Sequence, residues 1–214
     1  MSNRSIHTLL KNWDEECPLT REEAVEVLNL PEEEMDSLME CAYALRTKYK
    51  GKKVSVQLLT NVRSGNCTQN CAYCAQSKDS QAEIEKYKRV SDEKLYGDND
   101  LVDEKHLARH CIGLSGIGFS DEEIEDLADR IREMKKKDTQ ICCSIGFLTE
   151  KQARILKDAG LDRINHNLNS SRSFYPEICT THTYDQRVNN IKMLQSLGFE
   201  LSLIHISEPT RRSY

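Results

Sequence analysis

Apolar positions recur at two different periods along this chain, and the period changes near residue 54. Before that point the spacing is helical. Ala24, Val25, Val27 and Leu28 follow Thr20-Arg-Glu-Glu23, the sequence form of a capping box. Met35, Leu38, Met39, Ala42 and Leu45 then recur at i, i+3 and i+4 spacing. That run starts at Pro31 with Glu32, Glu33 and Glu34 in its first turn, and it stops at Gly51. The pattern predicts a helical N-terminal extension over residues 1–52. Beyond it, four short apolar runs read as strands: Val54–Leu59, Cys111–Leu114, Ile141–Ile145 and Leu161–Asn165. The last three each lead through a polar loop to a capping pair (Ser120…Glu123, Thr149…Gln152, Thr183…Gln186), a helical stretch and, in the last two units, a glycine, Gly160 or Gly198. Strands alternating with helices of this length predict an α/β fold of βαβ units on a parallel sheet, over residues 53–200. The stretch from Asp79 to His110 must hold the first crossover, but its charge density hides the helix.

In such a sheet the functional groups belong at the carboxyl ends of the strands. The first strand runs into Cys67-Thr-Gln-Asn-Cys71-Ala-Tyr-Cys74, and the fourth ends in Asn165-His166-Asn167. Cys111 and Cys142 lie within the second and third strands. Cys143, next to Cys142, points to the opposite face and reads as a passive packing residue. Cys17 and Cys41 read the same way.

Composition narrows the function classes. The 214 residues carry a net charge of −5, which does not suggest nucleic acid or an anionic membrane as partner. No apolar stretch approaches the ~18 residues of a membrane span. The start, Met1 to His7, lacks the apolar core of a secretory signal, so a cytoplasmic protein is expected. Nine cysteines, an odd number, argue against a disulfide framework and for metal or redox work. The C-x3-C-x2-C spacing brings three thiolates onto one loop. A structural zinc site and a fully protein-ligated cubane cluster each want about four ligands. Three therefore suggest a [4Fe–4S] cluster with one iron open to a small molecule, the alternative being a zinc knuckle completed by a distant histidine.

The three-cysteine loop after a first strand, with Tyr73 before the last cysteine, resembles the signature of radical S-adenosylmethionine (SAM) enzymes. The run Ser64–Ser77, Arg109-His-Cys111, Ile141-Cys142, Asn165-His-Asn-Leu168, Thr180-Thr-His-Thr-Tyr184 and Arg187 resemble the biotin synthase family more narrowly. The resemblance covers about residues 20–200 and implies a partial TIM-type (β/α) barrel of about five units behind the helical extension. It implies that Cys67, Cys71 and Cys74 hold a [4Fe–4S] cluster whose open iron takes SAM. A 5′-deoxyadenosyl radical would then take hydrogen from dethiobiotin. An auxiliary cluster, [2Fe–2S] or a variant, with Cys111 and Cys142 among its ligands, would donate sulfur to form biotin. By the same resemblance Tyr73, Asn167, Asn169 and Arg187 lie at the cofactor, and Asn165, His166 and Asn167 at the substrate. The Asn-His-Asn string could instead serve only its own loop. Asn169 stands where the family pattern has an acidic residue, and this weakens the expected ribose contact. Cys179 has no role in the family pattern. A flavodoxin- or ferredoxin-type electron donor and a homodimer of the full-length protein are implied too. Competing readings are a hydrogenase maturase or methylornithine synthase type of the same barrel, or a cluster-binding fragment without catalysis.

The end of the chain departs from the pattern. The family implies a Cys-Ser-Gly-Gly run soon after Gly198, yet Ser202 stands near the expected cysteine. Residues 201–214 read as a non-family tail. About 250 residues make a complete barrel, so this chain is expected to hold its cluster loop but to lack the full reaction.

Overall fold

The computed structural model describes residues 19–203, in two compact units that divide between Val54 and Ser55. The smaller unit is helical. Helix α1 (Arg21–Leu28) begins at a complete capping box: Thr20 Oγ1 accepts from the Glu23 amide and the Glu23 carboxylate accepts from the Thr20 amide. Pro31 precedes a 3-10 turn (Glu32–Glu34) that runs into α2 (Met35–Lys50). Gly51 ends α2 at φ 61°, a conformation that glycine adopts without strain. Cys41 is half-buried in α2. Cys17 lies outside the described residues.

The larger unit is a sheet of five parallel strands in chain order: β1 (Gln57–Arg63), β2 (Arg109–Leu114), β3 (Ile141–Ser144), β4 (Arg163–Asn165) and β5 (Glu200–Ser202). The crossovers carry α3 (Asp92–Glu104), α4 (Asp121–Met134) and α5 (Glu150–Asp158), then α6 (Tyr175–Ile178) and α7 (Tyr184–Ser196). Each unit adds its strand beside the last, as the successive units of a TIM-type barrel do. Capping boxes open α4, α5 and α7 at the positions their sequences predict.

Several boundaries differ from the sequence reading: β2 begins two residues earlier, at Arg109, β3 ends one residue earlier, at Ser144, and β4 begins two residues later, at Arg163. β1 starts three residues after Val54 and runs on to Arg63, because Val54 and Val56 face solvent while Thr60 and Val62 fill the buried positions. The first crossover helix, α3, is capped by Ser91. Its buried face is Leu95, Asp98, Asn99 and Val102. Two polar residues on that face are the reason the apolar period is weak. The strand β5 includes Leu201 and Ser202, the first two residues of the expected tail. Residues 204–214 lie outside the description.

Register sorts the side chains into two faces. Thr60, Ile112, Cys143 and Ile164 align across four strands. The last three of these lie under the helices in one core with Ile124, Leu127, Ile131 and Leu156. Burying each such aliphatic side chain contributes about 2 kcal/mol. One residue earlier, Leu59, Cys111, Cys142 and Arg163 align on the inner face. Cys143 is thus a packing residue, turned away from Cys142. On the inner face of edge strand β1, Leu59 is 68% exposed.

Behind the sheet a polar network ties α3 to β1 and β2. Thr60 Oγ1 lies 2.6 Å from Asp98 Oδ2 and 2.8 Å from His110 Nε2. His110 Nδ1 lies 3.2 Å from Asn99 Oδ1. Burial, only partly opposed by Asp98, pushes the His110 pKa down from 6.5 to about 4. A group depressed in this way contributes stability above its unfolded pKa and loses it as pH falls through the folded value. Stability against urea is therefore expected to fall as pH drops from 6.5 to 4, by on the order of 3 kcal/mol from this site. His110→Gln should flatten that acid limb; an unchanged limb would show that the imidazole is not the group responsible.

Candidate functional site

The cysteine loop begins where two left-handed residues, Gly65 (φ 72°) and Asn66 (φ 54°), turn the chain off β1. A Cβ on Gly65 would lie 2.6 Å from the Lys86 side chain, so the close return of the loop also requires glycine. Ser64 and Tyr87 close the base of the loop with paired backbone hydrogen bonds of 3.0 and 3.1 Å. The Gly65 amide donates to Gln76 Oε1 at its start. From the far side the loop is held by the segment after β4. The Ala72 amide donates to the Ile178 carbonyl at 2.9 Å. Asn70 Oδ1 accepts from the amides of Thr180 and Thr181. The Thr180-Thr-His-Thr segment thus has a structural role, fixing the three cysteines over the sheet.

Cys67, Cys71 and Cys74 line one wall of a cavity of about 300 Å³ at the carboxyl ends of β1 to β4. Tyr73, Asn165, Asn167, Asn169 and Arg187 line it too, as do Gly113, Gly116 and Gly146. His166 does not reach it. It alternates away from Asn165 and Asn167 and is buried edge-on against Phe147, the ring centroids 5.3 Å apart. Burial first, then the charge of Arg187, pushes the His166 pKa down to about 4. Asn169 holds a left-handed φ of 65° and its Nδ2 donates to the Tyr73 hydroxyl at 2.5 Å. Arg187 Nε donates to the Tyr175 hydroxyl oxygen at 2.8 Å and to His182 Nε2 at 3.0 Å.

The thiols show what a metal must overcome. Burial, with the neighbouring Cys179, pushes Cys71 up to about 12. Burial raises Cys74 as well. Bound iron reverses this by stabilising the thiolates directly. The donor set fits a cluster: three thiols on one loop, facing a cavity where Asn165 Oδ1 is buried with no hydrogen-bond partner. Such an orphaned acceptor calls for a donor from a ligand.

Cys111 and Cys142 do not line this cavity. They are direct register partners on the inner face, nearer the amino ends of β2 and β3. A hydrogen bond from Cys142 lowers the Cys111 thiol, aided by the charges of Arg109 and Arg163, and Cys142 is raised in turn. Below them Glu200 accepts from Arg163 Nε at 2.9 Å and faces Arg109 at 3.4 Å.

Three residues stand at the site to which the sequence reading gave no ligand role: Cys179, His182 and Tyr175. Cys179 Sγ lies 3.7 Å from Cys71 Sγ, and His182 and Tyr175 pack beside them. More than 100 residues separate Cys71 from Cys179, and only the crossover after β4 brings them together. Burial would raise the Cys179 thiol, but hydrogen bonds from Thr181 and the His182 amide hold it below its ordinary value.

A parallel βα sheet with three loop thiols and a polar cavity at its carboxyl edge defines a class: α/β proteins that hold a metal cluster beside a small-molecule site. The radical SAM superfamily model matches residues 61–207. The chain belongs to that superfamily, which implies a [4Fe–4S] cluster and SAM. It is 39% identical over 181 residues to the biotin synthase of Geobacillus kaustophilus and 40% identical over 181 residues to that of Bacillus subtilis. Both alignments cover 84% of this chain and 54% of the relative, so the chain spans about half the length of these proteins. Methylornithine synthase shares the fold, with a TM-score of 0.78 at 16% identity over 91% of this chain and 56% of that one. No helix among the described residues is long and apolar enough to cross a membrane.

Proposed function

We propose that this chain forms the cluster- and SAM-binding part of a biotin synthase, an enzyme that inserts sulfur into dethiobiotin. The observation that carries this reading is the Cys111–Cys142 pair. It lies on the same inner face of the sheet as the cavity but apart from it, which suits a separate sulfur-donating cluster. A radical enzyme without sulfur insertion has no need of that pair, and the 39–40% identity to biotin synthases points the same way.

When bound, the [4Fe–4S] cluster supplies the electron that cleaves SAM to a 5′-deoxyadenosyl radical. The chain's own residues bind and orient. Cys67, Cys71 and Cys74 are the ligands of that cluster, leaving one iron for SAM. The Arg187 guanidinium is the only cation on the cavity wall among the described residues, and it suits the methionine carboxylate. Asn165 and Asn167 offer uncharged donors and acceptors to ribose or to the ureido ring of dethiobiotin. Burial of His166 keeps it neutral, and its role is to pack the loop against Phe147. Cys111 and Cys142 supply two thiolates to the auxiliary cluster, [2Fe–2S] or a variant. The electron donor is of the flavodoxin or ferredoxin type, and the full-length protein is a homodimer.

Asn169→Asp is expected to tighten SAM several-fold, because a carboxylate accepts a stronger hydrogen bond from the ribose. Tyr73 can reverse its bond and donate to the new carboxylate. Titration of SAM against the cluster's absorption measures this, and equal or weaker affinity would remove Asn169 from the ribose contact.

The substrate is tested by fusing residues 1–200 to the part of the Bacillus subtilis relative that lies beyond the aligned region. Reconstituted anaerobically with SAM, reductant and dethiobiotin, the fusion is expected to form biotin. Cleavage of SAM without biotin would point to another substrate. The 214-residue chain alone is expected to form none, since the exposed inner face at Leu59 cannot keep the radical dry.

A further inference from the structure

Cys179 and His182 are left over by the cluster, yet with Cys71 they form a buried group whose ligand atoms lie within 4.8 Å of one another. Their spacing is informative. Cys71 Sγ and Cys179 Sγ are 3.7 Å apart, and Cys179 Sγ is 3.3 Å from His182 Nδ1. Zinc–sulfur bonds of about 2.3 Å and zinc–nitrogen bonds of about 2.0 Å place two sulfurs of one tetrahedral site ~3.8 Å apart, and a sulfur and a nitrogen ~3.5 Å apart. The two pairs that Cys179 makes already match a single ion within a few tenths of an ångström.

We propose that Cys71, Cys179 and His182 bind one zinc ion in the cluster-free chain, and that this site and the [4Fe–4S] site exclude each other because both need Cys71. The outer partners suit such a site. With Nδ1 on zinc, Nε2–H of His182 faces the Tyr175 hydroxyl oxygen at 2.9 Å, the partner that fixes ring and tautomer. Arg187 Nε gives up the bond it donates to His182 Nε2 at 3.0 Å in the metal-free chain and keeps that same hydroxyl oxygen as its acceptor at 2.8 Å. Gln69 Oε1, which lies 3.0 Å from Nδ1 and accepts its proton in the metal-free chain, loses that bond when zinc takes the nitrogen, and solvent takes the fourth position. On binding, Cys71 and Cys179 each release a proton to solvent and His182 enters neutral, so the dication gains two thiolates with no change in oxidation state. Cys67 and Cys74 take no part. Only the exclusion rests on the radical SAM reading; the zinc site stands on its own geometry.

The test uses the full 214-residue chain, reduced, metal-free and kept anaerobic, titrated with zinc alone against a chromophoric chelator. One zinc per chain is expected. Cys179→Ser and His182→Gln should each weaken binding at least tenfold, while Cys67→Ser and Cys74→Ser leave it within about twofold. Circular dichroism of every variant separates lost ligation from lost folding, and cobalt in place of zinc reports thiolate ligation by its charge-transfer band. Zinc that needs Cys67 and Cys74 but ignores Cys179 and His182 would place the ion on the three-cysteine loop and overturn the proposal, as would no binding at all. In a second arm, zinc-loaded parent is expected to resist cluster assembly, and Cys179→Ser to assemble it with or without zinc. Cluster formation in the parent unaffected by bound zinc would overturn the exclusion alone.

Discussion

Alanine at Cys67, Cys71 or Cys74 is expected to abolish the SAM-responsive cluster, whereas alanine at Cys111 or Cys142 is expected to leave it in place. After anaerobic reconstitution the first three variants should lose the ~4 iron atoms that a cubane holds. Any one of these substitutions leaves two thiolates on the loop, too few to keep a cluster with an open iron. The loop should survive, because what shapes it is elsewhere: Gly65 and Asn66, the Ser64–Tyr87 pairing and the Asn70 bonds to Thr180 and Thr181. Cys111 and Cys142 line a different part of the inner face, so their loss should remove only auxiliary iron. Iron and sulfide assays with the cluster's visible spectrum decide between these outcomes. A Cys71→Ala chain that kept a full cluster would remove the loop from the site.

Gly146→Ala is expected to be nearly as damaging, through packing alone. A Cβ at Gly146 would overlap the Ile117 carbonyl oxygen and sit 2.5 Å from its carbon. These are backbone atoms, and the same oxygen accepts the Phe147 amide at 2.6 Å. The β2–α4 and β3–α5 loops would have to part, and both line the cavity. Overpacking of this kind costs about 1–3 kcal/mol, here concentrated at the ligand-binding edge. The variant should unfold at lower urea and bind SAM at least tenfold more weakly. Alanine at Gly118, where the added atom meets nothing within 4 Å, serves as the control. Equal SAM affinity in the two variants would show that the close approach at Gly146 has no part in the site.

The four capping boxes and the strand–helix alternation made the fold readable from the chain, because each signal is local and each is satisfied where it stands. Helix α3 was not readable, since Asp98 and Asn99 take buried positions where an apolar period would have marked them. The three-cysteine spacing and the Asn165-His166-Asn167 string at the end of β4 pointed to one mouth, but the sequence reading placed the whole string there; strand alternation turns His166 away onto Phe147 and leaves Asn165 and Asn167 on the cavity wall. The contacts around Cys71 were beyond reach: Cys179, His182 and Tyr175 join it through a crossover more than 100 residues later. Strand alternation was enough to set Cys143 apart from Cys142, and the register and the core bear that out.

Everything proposed for the cavity depends on an open iron that takes SAM. The electron paramagnetic resonance spectrum of the reconstituted, reduced 214-residue chain, followed during titration with SAM, reports on that iron directly. A saturable change in the cluster signal, absent in Cys71→Ala, is predicted. A cluster whose spectrum stays the same at every SAM concentration would contradict it.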